Sequence, residues 1–280
     1  MGGNSSETQR AMKDDKALEC GRLTAPKEIK DGSKPAQIID WDRAAVICQA
    51  ALDAHPDEPH IQYGLAAALF HTKHYIEANR YYKLASDAGL PAAQNALGLN
   101  YHKGLGTVKD DQKAFELWSK AAAAGWPASM GNLGSAYADG LYVKKDFNKS
   151  LEWNEKAIEA GNILSLSVVG NSYLNGYGVD RDFATAAQYF QQGADLGDGF
   201  ALKTLANMYE AGFMGAPQPD KAGALRLLAL QQDPESPDPS PVSVFKQILA
   251  AGRAKPVQHV VHRRRYVIFR PYRFCLTIWC

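Results

Sequence analysis

The chain is poor in the residues that mark several protein classes. It has four cysteines in 280 residues, Cys20, Cys48, Cys275 and Cys280, and no two stand at a C-x-x-C spacing. That excludes a disulfide-dense scaffold and leaves a zinc knuckle without ligands. No apolar run approaches the ~20 residues that a bilayer core requires. The opening Met1-Gly2-Gly3-Asn4-Ser5-Ser6 lacks a basic stretch followed by an apolar one, so no secretory signal is expected. Gly2 followed by Ser6 fits an N-myristoylation pattern, which would be meaningless in a bacterial protein. The motifs H-E-x-x-H, G-x-S-x-G and G-x-x-x-x-G-K-[ST] are missing, so metalloprotease, serine-hydrolase and P-loop chemistry have no foothold.

Net charge is also scarce, but its distribution is uneven. Lys plus Arg number 31 and Asp plus Glu 30. Residues 253–280 carry seven of the bases and no acid, leaving 24 bases against 30 acids in the first 252 residues. An acidic body with a basic tail argues against a uniformly basic nucleic-acid binder.

What the chain does have is repetition. Four segments recur every 36 residues, beginning at Ala92, Ala128, Leu164 and Phe200. They align small residues at Gly98, Gly134, Gly170 and Ala206. Three positions on stand Tyr101, Tyr137, Tyr173 and Tyr209, then Gly104, Gly140, Gly176 and Gly212. A second run in three of the units begins at Asp110, Asp146 and Asp182 and ends at Gly125, Gly161 and Gly197. Each Asp is placed to cap a helix and each closing Gly to stop one. Between them apolar residues recur at helical spacing, as in Ala114, Leu117, Trp118 and Ala121.

Each unit therefore reads as helix, glycine-containing loop, helix, glycine turn. The small residue lets the neighbouring helix approach, and the tyrosine packs across the pair. Gly104-Leu105-Gly106 follows a helix and not a strand, so it is no dinucleotide fingerprint. Upstream, His60–His71 and Tyr75–Ala88 read as a shorter hairpin with Thr72-Lys73-His74 as its connection. Trp41–Ala54 reads as a lone second helix anchored by Trp41, Ala44, Cys48 and Ala51, with Cys48 as a small buried hydrophobe.

These residues resemble Sel1-like repeats, a variant of the tetratricopeptide repeat. The two upstream segments resemble ordinary tetratricopeptide units. The resemblance implies an all-α fold, an α/α superhelical solenoid of Sel1-like and tetratricopeptide-like hairpins, over residues 39–231 with roughly ten helices. Residues 1–38 are expected to be a disordered lead-in, 232–242 a Pro-rich linker, and 243–280 a short helix with a basic aromatic tail. For the tail, Arg263–Arg265 and nearby aromatics leave three readings open: an unordered extension, a contact with an anionic membrane or partner, or packing on the solenoid. The fourth unit departs from the pattern through Ala206 and the Gly215–Asp220 stretch, as a terminal unit should.

Such an array implies a concave face lined by the first helix of each hairpin. Matched position by position to tetratricopeptide units, its lining is Tyr63 and His71 in the short unit, then Asn95, His102 and Lys103, Asp139, Asn171 and Asn175, and Lys203, Asn207 and Glu210. In similar peptide-binding domains an asparagine there holds the backbone of a bound peptide. Its amide can both donate to and accept from a peptide group. The implied role is a non-catalytic adaptor for a protein or peptide, with no cofactor, metal or small-molecule substrate, and with nucleic acid disfavoured.

Two alternatives follow from the same resemblance: a regulatory array detached from a caspase-like protease domain, or a repeat-borne hydrolase. The relatives tied to hydrolase activity brace their helices with paired cysteines. No such pair is visible in these repeats, which points away from that activity and towards the cytoplasm.

Overall fold

A computed structural model of the chain describes residues 15–24 and 40–231. The expectations for the linker, the tail and the rest of the N-terminal segment lie outside the described residues.

The regular placement of caps and stops produces helices of nearly one length. Residues 15–24 are helical and belong to helix α1. Eleven more follow: α2 (Trp41–Leu52), α3 (Pro59–His71), α4 (Tyr75–Asp87), α5 (Pro91–Lys103), α6 (Asp111–Ala123), α7 (Pro127–Asp139), α8 (Phe147–Glu159), α9 (Leu164–Asn175), α10 (Phe183–Asp195), α11 (Gly199–Ala211) and α12 (Pro219–Gln231). The described chain is an all-α solenoid of paired helices. Within each pair the odd-numbered helix comes first, and each pair packs on the next.

The starts and stops are chemical. Pro59, Pro91 and Pro127 open α3, α5 and α7, where a missing N–H costs nothing. Asp110, Asp146 and Asp182 accept backbone N–H bonds at the starts of α6, α8 and α10, as their spacing predicts. In the last unit Gln218 replaces the aspartate, yet its N–H still donates to the Tyr209 carbonyl at 2.9 Å. Asp110, Asp146 and Asp182 make the same bond to Tyr101, Tyr137 and Tyr173. The fourth loop thus keeps the backbone tie that closes the other three.

The small residues of the first helices make room for one large side chain in the second. A Cβ at Gly98 would lie 2.8 Å from Trp118 Cδ1, one at Gly134 2.8 Å from Asn154 Cγ, and one at Gly170 3.2 Å from the Phe190 ring. Trp118, Asn154 and Phe190 are all buried and stand 36 residues apart. Helix backbone also comes near, at Ala114 and Ser150. The close approach expected of these positions is there, but a side chain fills most of it. In the fourth unit the equivalent residue is the exposed Arg226, so Ala206 is tolerated.

Neighbouring pairs are joined by polar as well as apolar contacts. Asn100 Nδ2 donates to Asn79 Oδ1 at 2.7 Å, and Asn79 Nδ2 donates to the Leu105 carbonyl at 2.7 Å. Lys113, Lys149 and Lys221 each lie over the repeat tyrosine of their own pair, Tyr101, Tyr137 and Tyr209. The short α3–α4 connection, lacking glycine, puts Lys73 at φ +67°.

Two expectations need correction. Residues 15–24 are helical, and Cys20 is buried in a cluster with Ala51, Leu52, Ile61 and Leu65. Cys48 is buried as expected, but as half of a disulfide with Cys20, 28 residues away. Helix α2 is therefore no lone second helix, because α1 is its partner. A cytoplasmic location, expected from the missing cysteine pair, loses that support with this bond.

Candidate functional site

Sequence arithmetic places three stripes along the first helices. Asn95, Gly131, Ser167 and Lys203 share one repeat position; Leu99, Ser135, Asn171 and Asn207 lie one turn on; Lys103, Asp139, Asn175 and Ala211 lie one turn further. Of the predicted lining, Lys103, Asp139, Asn175, Lys203 and Asn207 are exposed, and Asn95 and Asn171 are half-buried.

The asparagines share a feature that the sequence does not announce. Asn95 Oδ1 accepts from Ser129 Oγ at 2.8 Å and from Asn132 Nδ2 at 2.9 Å, both on the next first helix, α7. Asn171 Oδ1 accepts from Asn175 Nδ2 at 2.7 Å, and that nitrogen also donates to the Asn171 carbonyl at 3.0 Å. Asn207 Oδ1 accepts from Arg226 Nη2 at 3.2 Å. In all three the oxygen is committed within the protein. Their Nδ2 groups have no partner among the described residues. The expected two-way pairing with a peptide group is thus reduced to its donor half. Ser129, Asn132 and Arg226, which set this orientation, were not among the predicted lining.

The remaining candidates divide. Tyr63 is not open to the face; it packs against Tyr82, with ring centroids 5.7 Å apart, and burial raises both phenol pKa values. His102 turns to its own hairpin: Nδ1 lies 2.7 Å from Asp111 Oδ1, and the ring tilts against Trp118. Burial alone would raise the Asp111 pKa, but bonds from His102 and Lys109 outweigh it and hold the carboxyl below its usual range. Glu210 is likewise turned towards its hairpin partner, paired with Arg226, and that guanidinium holds its carboxyl low. The structure therefore brings Asn207 and Glu210 together on Arg226 and separates both from His102.

His71 is exposed and stacks flat on Trp41, with centroids 3.8 Å apart and ring planes 9° apart. Phe70 meets it edge-on. Desolvation lowers the His71 pKa from the ordinary 6.5. A titration of its ring protons by NMR is expected to give a midpoint below that value, returning towards it in Trp41→Ala. Because the folded pKa is depressed, the unfolded chain binds the proton first. The fold then loses the stack's support as pH falls from about 6.5 through the folded midpoint.

Among the described residues no group of three or more His, Cys, Asp or Glu could hold a metal ion. No described helix is long and apolar enough to cross a membrane.

A model of the Sel1 repeat matches residues 62–90, 91–126, 127–162 and 165–198. Its boundaries fall on the hairpins α3–α4, α5–α6, α7–α8 and α9–α10. A solved Sel1 repeat protein from Oxalobacter formigenes is 29% identical, with a TM-score of 0.61 over 72% of this chain and 84% of that one. A protective antigen of uropathogenic Escherichia coli with an SLR fold is 22% identical, at TM-score 0.60. The match covers 88% of this chain but only 55% of the antigen. An immunity protein from Pseudomonas aeruginosa is 21% identical, at TM-score 0.53 over 83% of this chain and 87% of that one. At those two identities the likeness is one of fold. None of the curated proteins matches. Capped hairpins in one register, a small residue facing one large side chain, and the matching repeat boundaries together establish that residues 62–198 form four Sel1 repeats.

Proposed function

We propose that the chain is an adaptor that holds an extended segment of a partner protein along the face lined by its first helices. The observation that carries this reading is the common orientation of Asn95, Asn171 and Asn207. Each has its amide oxygen held internally and its amide nitrogen left to donate. An extended peptide offers carbonyl acceptors at regular intervals, and donors on the neighbouring hairpins of Asn171 and Asn207, with Asn95 two hairpins before, suit it with little demand on its sequence. The exposed Lys103, Asp139 and Lys203 stand beside this row and would supply what charge selectivity it has.

The test uses the isosteric change Asn→Asp. It keeps the internally bound oxygen and replaces the donor with an acceptor, so folding is little disturbed. Peptide ligands selected against the full chain from a random library are expected to lose roughly tenfold in affinity for each of Asn171→Asp and Asn207→Asp, as a lost hydrogen bond would give. Melting should shift by only a few degrees. Unchanged affinity in the double variant would remove the face from consideration.

A further inference from the structure

We infer that Cys20 and Cys48 form an oxidative modification site: the chain matures in an oxidising compartment, and the bond made there fastens α1 to the array as the first helix of a hairpin with α2. This inference is independent of the peptide-binding reading. The two Cα atoms are 4.9 Å apart, within the span a disulfide bridges. Cys20 is 1% exposed and Cys48 fully buried, so a soluble reductant has little access once the chain has folded. The bridge also has a seat on the third helix. Gly64 of α3 leaves the space it occupies: a Cβ there would lie 2.8 Å from Cys20 Sγ and 3.5 Å from Cys48 Sγ.

The other attachments of α1 are slight. Leu18 is 46% exposed. The Arg43–Glu19 pair at 3.0 Å is exposed and contributes little. Thr24 is buried; its hydroxyl donates to the Cys20 carbonyl within α1 and rests beside Gly64, the one other side chain of α1 in that seat. The covalent link is what decides whether α1 stays seated. Disulfides of this kind persist in oxidising compartments and are rare in a reducing cytosol.

The chemistry balances through a disulfide-bearing oxidant, either an oxidase of the thioredoxin type or oxidised glutathione. One cysteine thiolate attacks the oxidant's disulfide and forms a mixed disulfide, releasing one oxidant sulfur as a thiolate. The second cysteine thiolate attacks the protein sulfur of that mixed bond and releases the other oxidant sulfur. Two electrons and the two thiol protons leave, and the oxidant departs as thiols.

The full chain carrying Cys275→Ser and Cys280→Ser isolates this pair. Isolated from its producing organism with free thiols blocked and digested without reduction, it should yield one peptide pair joined through Cys20 and Cys48. Reduction should lower amide-exchange protection over residues 15–24 by roughly a few hundredfold, the scale of closing a loop of this length. Protection in α5 to α11 should hold. Additional Cys20→Ser and Cys48→Ala changes should reproduce the reduced pattern. Recovery of both cysteines as free thiols from the folded native protein would overturn the compartment assignment. Protection of 15–24 that is indifferent to reduction would overturn the fastening role.

Discussion

Replacing Gly98 with Leu is expected to remove about 4 kcal/mol of stability and to unravel the middle of the array first. The reason lies in one contact. Trp118 is 3% exposed, and its ring edge occupies the space a side chain at 98 would need. Even a Cβ would lie 2.6 Å from Trp118 Nε1. The Ala114 carbonyl, 3.3 Å from the same point, is helix backbone and cannot swing aside. A leucine must therefore evict the tryptophan or part the two helices. Eviction forfeits the burial of the largest side chain type, worth about 3–5 kcal/mol, and parting the helices costs about 1–3 kcal/mol for overpacking.

The two routes differ in what light reports. If Trp118 is expelled, its emission moves to the red. Adding Trp118→Ala to Gly98→Leu should then recover part of the loss, so the two changes would be strongly non-additive. A loss under about 1 kcal/mol with strict additivity would mean that Gly98 and Trp118 do not share that space. Because each hairpin touches only its neighbours, α9 to α12 should keep their amide protection while α5 and α6 lose theirs.

That interaction also marks how far the sequence could be read. A period of 36 residues, three capping aspartates and a row of αL glycines define hairpins without any contact being known. All of those signals are local: a cap acts within three residues and a stop within one turn. The identity of the residue facing Gly98 is not local. Trp118 lies 20 positions on, and its column then runs through Asn154 and Phe190, which share no chemistry. Only their size and burial unite them, so no motif exposes the column.

The candidate site fails to be legible for a related reason. Position alone put Asn95, Asn171 and Asn207 on one face. Which amide atom each leaves open depends on Asn132, Asn175 and Arg226; Asn175 is one helical turn from Asn171, but no rule of spacing selects Asn132 or Arg226. His102 and Glu210 share a repeat position, and both turn to the second helix of their own hairpin, where Asp111 and Arg226 wait with opposite charge. Periodicity locates a side chain on a helix but does not say which neighbour claims its polar end. The Cys20–Cys48 bond escaped because the two cysteines stand 28 residues apart and the repeat does not extend to Cys20.

Replacing Gly178 with Ala is expected to cost about 3 kcal/mol, roughly three times the loss for Gly176→Ala two residues earlier. Both glycines have nearly the same backbone, at φ +75° and +76°, so both substitutions incur the left-handed penalty of about 1–2 kcal/mol. They differ in what surrounds them. A Cβ at 176 meets nothing nearer than 3.5 Å. A Cβ at 178 falls 2.7 Å from the Phe147 carbonyl carbon and oxygen and 3.0 Å from the Asn148 N, all backbone at the start of α8. No rotamer change relieves that, so the α9–α10 loop must lift off the preceding hairpin and break the Phe147–Tyr177 stack, now 4.8 Å between centroids.

The unit before supplies a natural control. Tyr142 occupies the matching position at φ +61°, so the backbone strain by itself is survivable. Denaturation of the two variants separates strain from contact, because strain is common to both. A clear excess for Gly178→Ala, accompanied by lost amide protection at the start of α8, would identify the loop-on-helix contact as what couples one hairpin to the next. Equal losses would place that coupling in the buried side chains alone.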